Sequence, residues 1–412
     1  MNNGIFRDSY DILLRIYKEG AFTNEEMKSV TNKRTTKIVY GVLDKHYELD
    51  YIVDSLTDKV KGKYKPLLYI CIYSLLYMDT PKNVVLNEVF DLLDALGKSA
   101  LKPFFSAVIN KANAREYSMP SKSDKRYLEV KYNMPSFLVG LFRKDYPDEY
   151  DKILTTPYYE RVHVRIREGQ KEEIITVADP TAIKTEVGYF VKNNKEISLL
   201  NFEGKITYMS LTSALAAESI AKVAKPNAKI LDCCAAPGGK SVYLAERGFD
   251  VTSCDVYPHR VELIESYARR MKVKVNTSLS DATVYNEKWK EKFDVVYADV
   301  PCSGMGVINR RKDVVFNKTY DDIISLVDLQ KRIINNVAKY VKKGGLLVYS
   351  TCTVFSMENG KVIEDFLSKN AGFSTESIKI EHDHKVDNVG GIQFLPDGKG
   401  TEGFYLCHMR KN

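Results

Sequence analysis

Apolar residues recur at intervals of three and four over the first quarter of the chain, in Tyr10-Asp11-Ile12-Leu13-Leu14-Arg15-Ile16-Tyr17, in Ile38-Val39-Tyr40-Gly41-Val42-Leu43 and in Leu67-Leu68-Tyr69-Ile70-Cys71-Ile72-Tyr73. That spacing places them on one face of a helix. Gly20, Pro66, Pro81, Gly97 and Pro103 break the pattern between segments. An all-helical domain over residues 1–125 is the expectation, closed by the polar stretch Ser118 to Arg126, which reads as a linker.

The period then changes. In Glu160-Arg161-Val162-His163-Val164-Arg165-Ile166-Arg167 every second side chain is apolar, as in a half-buried strand. With short helical pieces around it, this predicts a small α+β, RRM-like middle domain over 126–205. From residue 206 onward short apolar runs alternate with helical segments: Lys229 to Cys234, Val251 to Cys254, Val273 to Val275, Phe293 to Ala298 and Gly345 to Ser350. Strand-helix repetition of this kind predicts a parallel, doubly wound sheet, a Rossmann-like α/β domain over 206–412.

Length and composition agree with a folded, multidomain protein. The 412 residues are too many for one ordinary domain. The longest apolar run, Leu67 to Met78, is broken by Ser74 and falls short of the roughly 18 to 20 residues that span a bilayer. The N-terminus, Met-Asn-Asn-Gly-Ile-Phe-Arg-Asp, lacks the basic and apolar regions of a secretory signal, so a cytoplasmic location is expected. Seven cysteines, an odd number crowded toward the C-terminal half, make neither a disulfide framework nor a zinc pattern. The net charge of +7 tilts the balance toward a polyanionic partner.

Candidate chemistry gathers where strands end. The first α/β strand runs into Asp232-Cys233-Cys234-Ala235-Ala236-Pro237-Gly238-Gly239-Lys240-Ser241. Two adjacent glycines at a strand-to-helix turn let backbone approach a ligand closely. The spacing is neither G-x-G-x-x-G nor that of a phosphate loop. Asp232, Asp255, Asp281 and Asp299 fall at or just beyond successive strand ends, the edge where an open parallel sheet holds its ligand. Carboxylates there would repel a pyrophosphate, but they suit the ribose hydroxyls, ammonium and sulfonium of S-adenosylmethionine. Asp255 is placed to accept from both ribose hydroxyls. Asp is also a favoured helix N-cap, which is the plainer reading of any one of them.

Two cysteines, in Asp299-Val300-Pro301-Cys302-Ser303-Gly304 and in Ser350-Thr351-Cys352-Thr353, leave neighbouring strands. Carbon 5 of a pyrimidine becomes nucleophilic once a thiolate has added to carbon 6, so thiols beside a methyl donor suggest methylation at that carbon. A buried cysteine is otherwise a small apolar filler. A base modified on its ring must leave its stack, and phosphates would supply most of the affinity, with Lys59 to Lys65 and Asn309-Arg310-Arg311-Lys312 as the best basic runs.

Asp232 to Lys240, Asp299 to Gly304 and Tyr349-Ser350-Thr351-Cys352-Thr353 together resemble the three signatures of the RNA cytosine-carbon-5 methyltransferases. Val39-Tyr40-Gly41-Val42-Leu43 with Leu49-Asp50, and Ile72 to Tyr77 with Pro81, are similar to the NusB-like helical domain fused to the bacterial RsmB (Sun, Fmu) branch. The resemblance implies methylation of a cytosine in 16S ribosomal RNA with S-adenosylmethionine as donor. It implies Cys352 as nucleophile, Cys302 assisting product release and Asp299 holding the base edge. Cys234, Ala235, Ala236, Pro237, Gly238, Gly239 and Lys240 would hold the cofactor with Asp255, Asp281 and Asp299, and Arg260 from the same stretch. The expected partner is ribosomal RNA, with no membrane and no metal, and the chain acting as a monomer. Two other readings stand beside it: a transfer-RNA cytosine methyltransferase, and a non-catalytic RNA-binding adaptor, which would need neither cysteine.

Overall fold

The computed structural model describes residues 4–21, 23–58, 60–316 and 318–412. The first three residues of the N-terminal segment and Lys59 of the first basic run lie outside the described residues. The chain forms two compact units: residues 1–150 with 311–318, and residues 151–310 with 319–412.

The first unit is helical, with helices Ile5–Glu19, Lys33–Asp44, His46–Leu56, Lys65–Tyr77, Lys82–Ala95 and Lys102–Asn113. The segment Lys65–Tyr77 is apolar on nearly every side and is correspondingly central, with Pro66 through Ser74 buried. Gly41 lets it come close, since a Cβ there would overlap the Tyr73 ring. Asn32 caps Lys33–Asp44 by accepting from the Arg34 and Thr35 amides.

This unit passes the expected seam at residue 125. The polar stretch is tied down rather than free: Arg126 pairs with Asp50 at 2.7 Å and Asp54 at 2.8 Å, and the Tyr51 hydroxyl donates to Asp124. Helices Tyr127–Tyr132 and Ser136–Asp145 continue the bundle. Residues 311–318 also belong to it: Asp313 accepts from the Thr23 amide, and the Phe316 ring packs among Tyr17, His46 and Tyr47. No pattern in the sequence marks this return of the chain.

The second unit holds two sheets. Strands β1 (Val162–Ile166), β2 (Ile183–Thr185), β3 (Gly188–Val191) and β4 (Ile206–Tyr208) pair antiparallel in the order β2-β3-β1-β4. Helices Glu173–Ala178 and Lys195–Phe202 connect them in βαββαβ succession, the split βαβ arrangement. Three consecutive residues of β1, His163, Val164 and Arg165, are buried, so the strand is covered on both faces instead of the one its alternation predicts; the Arg165 guanidinium is matched by Glu246.

The larger sheet comprises β5 (Lys229–Asp232), β6 (Asp250–Asp255), β7 (Asn276–Leu279), β8 (Phe293–Asp299), β9 (Val341–Thr351), β10 (Phe373–Glu376), β11 (Lys385–Val386), β12 (Ile392–Phe394) and β13 (Phe404–Lys411). Its order is β11-β12-β13-β9-β8-β5-β6-β7, with β10 on β13. The strands from β7 to β9 are parallel and those from β10 to β13 antiparallel, so the fold is Rossmann-like with a mixed sheet instead of a wholly parallel one. Helix Gly360–Lys369 and strands β10 to β12 intervene between β9 and β13, which lie side by side in opposite senses. Val273 to Val275 precede β7 and do not form it. Helices on both faces bury the central strands, whose Ile230, Leu231, Val296, Leu347 and Val348 are inaccessible.

Candidate active site

The strand order puts β5 between β6 and β8, so the chain reverses direction across the sheet at β5, and a crevice opens beyond the strand ends there. A cavity of about 570 Å³ lies at this point. Asp232, Cys234, Ala235, Ala236, Pro237, Gly239, Lys240 and Asp299 line it from the large sheet, and Arg161, His163, Tyr208 and Ser210 from the side of the small one.

The turn after β5 is laced to its neighbours. The Ala235 amide donates to the Cys254 carbonyl at 2.8 Å and the Gly238 amide to the Ala235 carbonyl at 2.7 Å. Gly238 has φ +104°, a left-handed conformation, and a Cβ there would press on Ile264 at 3.2 Å. Helix Gly239–Glu246 starts at once and carries Lys240 and Ser241 toward the strand ends. Ser241 donates to Asp232 at 2.6 Å; burial lifts this carboxyl to about 7, with Ser241 and Lys240 opposing.

Lys240 Nζ reaches Asp299 at 2.6 Å. Burial works against its ammonium, yet the Asp299 carboxylate holds its pKa above the usual lysine value. The other Asp299 oxygen accepts from the Ser350 hydroxyl at 2.5 Å. One carboxylate therefore links the Gly-Gly turn, the end of β8 and the end of β9.

Beyond these strand ends lie the two thiols, with Cys302 Sγ and Cys352 Sγ 3.3 Å apart. The hydrogen bond from the Cys302 thiol lowers the Cys352 pKa, burial and Asp299 oppose, and Lys240 adds to the lowering. Cys302 is pushed well up by the same shared proton and by burial. Of the two, Cys352 is the one whose ionised form is favoured and Cys302 the one whose proton is held.

Residues that sequence reasoning passed over hold both loops. Glu358, buried, accepts from the Ser303 amide at 2.8 Å, from the Ser303 hydroxyl and from Gln330 Nε2 at 3.0 Å, while Gln330 also donates to the Pro301 carbonyl at 2.9 Å. Asn359 accepts from the Thr351 hydroxyl at 2.6 Å and donates to the Thr353 carbonyl at 3.2 Å. The Gly306 amide donates to the Cys352 carbonyl at 3.0 Å and the Gly403 amide to the Gly306 carbonyl at 2.9 Å. The signal was present in the sequence as a Glu-Asn pair six residues past Cys352, but nothing local says which loop it grips.

The remaining expected residues are dispersed. Asp255, at the end of β6, is buried, and its Oδ1 accepts from the Tyr257 amide. Arg260 approaches Asp255 at 3.5 Å and donates to the Ala236 carbonyl at 3.3 Å, so it braces the turn. Asp281 is exposed and caps a turn by accepting from the Thr283 amide at 2.8 Å. Gly238, Asp255, Arg260, Asp281 and the two thiols are not on the cavity wall described above. The basic run at 309–312 divides: Asn309 and Arg310 face the cavity, whereas Arg311 pairs with Asp313, and Lys312, partly buried near Asp44, has its pKa lowered by burial.

Among the described residues, two buried carboxylate oxygens at these strand ends lack a hydrogen bond: Asp232 Oδ1, and Asp255 Oδ2, which has only the ion pair with Arg260 at 3.5 Å. Orphaned acceptors of this kind call for partners, and the hydroxyls and ammonium of S-adenosylmethionine are donors, so the donor set fits.

Residues 220–410 match the family model described as 16S rRNA methyltransferase RsmB/F, and residues 7–114 match that of the NusB family. The catalytic part of the chain is thus similar to the RsmB/F methyltransferase family. The chain carries the NusB-type helical domain ahead of the catalytic part, and it is an S-adenosylmethionine-dependent RNA methyltransferase. The chain is 29% identical to the probable ribosomal RNA small subunit methyltransferase B of Bacillus subtilis (strain 168), over 97% of both chains. It is 29% identical to the ribosomal RNA small subunit methyltransferase B of Proteus mirabilis (strain HI4320), over 94% of this chain and 93% of that one. Among solved structures, the crystal structure of PH0851 superposes with a TM-score of 0.85 at 23% identity and covers both chains completely. NSun6 from Pyrococcus horikoshii with SFG superposes with a TM-score of 0.59 at 19% identity, over 67% of this chain and 98% of that one. At those identities the two structures speak to the fold. Among the described residues no helix is long and apolar enough to cross a membrane.

Proposed function

We propose that this RsmB/F-like enzyme methylates carbon 5 of a cytosine in 16S ribosomal RNA through a transient bond between Cys352 and the base. The observation that carries the reading is the pair of thiols 3.3 Å apart beyond the ends of β8 and β9, one lowered in pKa and one raised. A buried structural cysteine has no need of a second thiol or of a lysine held by Asp299. The names of the curated relatives supply the small-subunit RNA.

In this reading Cys352 adds to carbon 6, which makes carbon 5 nucleophilic. Bound S-adenosylmethionine supplies the methyl group. Elimination then breaks the bond from carbon 6 to Cys352 and re-forms the ring double bond: Cys302, close enough to share a proton with Cys352, gives its proton to the departing sulfur and takes up the carbon-5 proton in its place. Asp299, fixed by Lys240 and Ser350, holds the base edge. Asp255 receives the ribose hydroxyls, the turn from Cys234 to Lys240 with Arg260 behind it shapes the cofactor site, and Asp281 lies at its outer rim. Residues 1–125 serve as the RNA-binding part.

Cys302→Ser tests the scheme. Incubated with S-adenosylmethionine and unmodified 16S rRNA, this variant is expected to accumulate a protein-RNA adduct that survives a denaturing gel, while Cys352→Ser forms none and transfers no labelled methyl. Methyl transfer by Cys352→Ser at the wild-type rate would overturn the nucleophile assignment.

A further inference from the structure

Among the described residues, three cationic side chains line the cavity: Arg161, Lys240 and Arg310. Two are committed elsewhere. Arg161 pairs with Asp179 at 3.3 Å and donates to the Thr181 hydroxyl, and Lys240 is held by Asp299. Arg310 differs, for its side chain is 51% exposed, and its Nε lies 3.0 Å from Glu402. A guanidinium carries five N–H donors, so with Nε facing Glu402 both Nη groups are left for a ligand.

Glu402 is set to aim that side chain. It immediately precedes Gly403, whose amide holds the Gly306 carbonyl, and the Gly306 amide in turn holds the carbonyl of Cys352. Its carboxyl is 21% exposed; burial raises its pKa, with Arg310 and Ser210 opposing. The acid is therefore anchored two backbone hydrogen bonds from the candidate nucleophile, and the guanidinium it grips stands on the same cavity wall.

The cavity sorts a nucleotide by charge. The acids Asp232 and Asp299 line it and disfavour a phosphate, whereas Arg310 lines it as a half-exposed cation. We propose that Arg310 receives a phosphate of the RNA beside the base that meets Cys352, and that Glu402 is the positioning residue that aims it. Arg310 is a phosphate contact and Glu402 touches no substrate. The proposal rests on the RNA methylation reading and adds to it the point at which the target nucleotide is fixed.

The test uses the full chain, in vitro transcribed 16S rRNA and salt from 50 to 200 mM. Arg310→Gln is expected to raise KM for RNA about tenfold while kcat falls less than threefold, and to flatten the dependence of log KM on log salt by roughly 0.7 to 1, one phosphate contact. Glu402→Gln is expected to raise KM about threefold with the salt slope kept, because the cation is present but no longer aimed. The double variant should match Arg310→Gln alone. Arg310→Lys, which keeps the charge without the fork, should keep the slope and part of the affinity. An unchanged KM and slope in Arg310→Gln, or effects of the two single variants that multiply in the double, would overturn the proposal. Equilibrium binding of the same RNA separates this from the reaction itself: a wild-type protein that binds without methylating refutes the proposed chemistry, and the Arg310 slope is then read from binding.

Discussion

Gly306 stands where the loop bearing Cys302, the end of β9 and the start of β13 meet, and replacing it by alanine gives the sharpest trial of the site's architecture. Its backbone is not in the left-handed region, so alanine costs nothing there conformationally. The whole effect is contact. A Cβ would overlap the Gly403 carbonyl, lie 2.5 Å from the Gly403 carbonyl carbon and sit 2.8 Å from the Cys352 carbonyl oxygen. All three are backbone atoms and cannot swing aside as a side chain would. Overpacking of this kind costs about 1–3 kcal/mol. Parting the strands also weakens the hydrogen bonds from the Gly306 amide and to its carbonyl, about 0.5–1.5 kcal/mol each. The sum is about 2–6 kcal/mol if the structure resists. If it yields, Cys352 moves by a sizeable fraction of an ångström, and a misplacement of 1 Å costs on the order of a hundredfold in rate. Melting curves and single-turnover methyl transfer to 16S rRNA distinguish these, with Gly372→Ala as control, since a Cβ at Gly372 meets nothing within 4 Å. A Gly306→Ala protein with control-like melting and a rate within threefold of wild type would refute the idea that this junction sets the position of Cys352.

Two further outcomes follow from the electrostatics. The Cys352 pKa is lowered by Cys302 and by Lys240, so alkylation of Cys352 by iodoacetamide should show its inflection below the usual thiol value of about 8.5. Lys240→Met should shift that inflection upward; an inflection unmoved by the change would remove Lys240 from the account. Asp232 has its pKa raised by burial to about 7, against an unfolded value of about 3.9. The folded state therefore holds its proton more tightly than the unfolded state, and stability is present in full below pH ~4 and lost as pH rises through about 7. Asp232→Asn should flatten the fall in melting temperature between pH 5 and 8, and a profile as steep as wild type would show that other groups govern it.

The helical periodicity of the first hundred residues, the strand-helix alternation of the last two hundred and the cysteines at Cys302 and Cys352 are local patterns, and the chain alone displays them. Local spacing fixes which face of a segment is apolar and which residue stands at a strand's end. It does not fix which strand lies beside which. Only the folded chain reverses β13 against β9, brings Gly403 onto Gly306 and sends Glu358 and Gln330 to the Cys302 loop. The same holds for Arg310 and Arg311, neighbours in one basic run, of which the first faces the cavity and the second belongs to the helical unit. Asp255 and Asp281 look alike as acids near strand ends, yet the first is buried with Arg260 alone beside its outer oxygen, while the other spends itself on a surface turn. Contacts between residues distant in sequence depend on packing of whole elements, and a pattern of period two or three and a half carries no record of them.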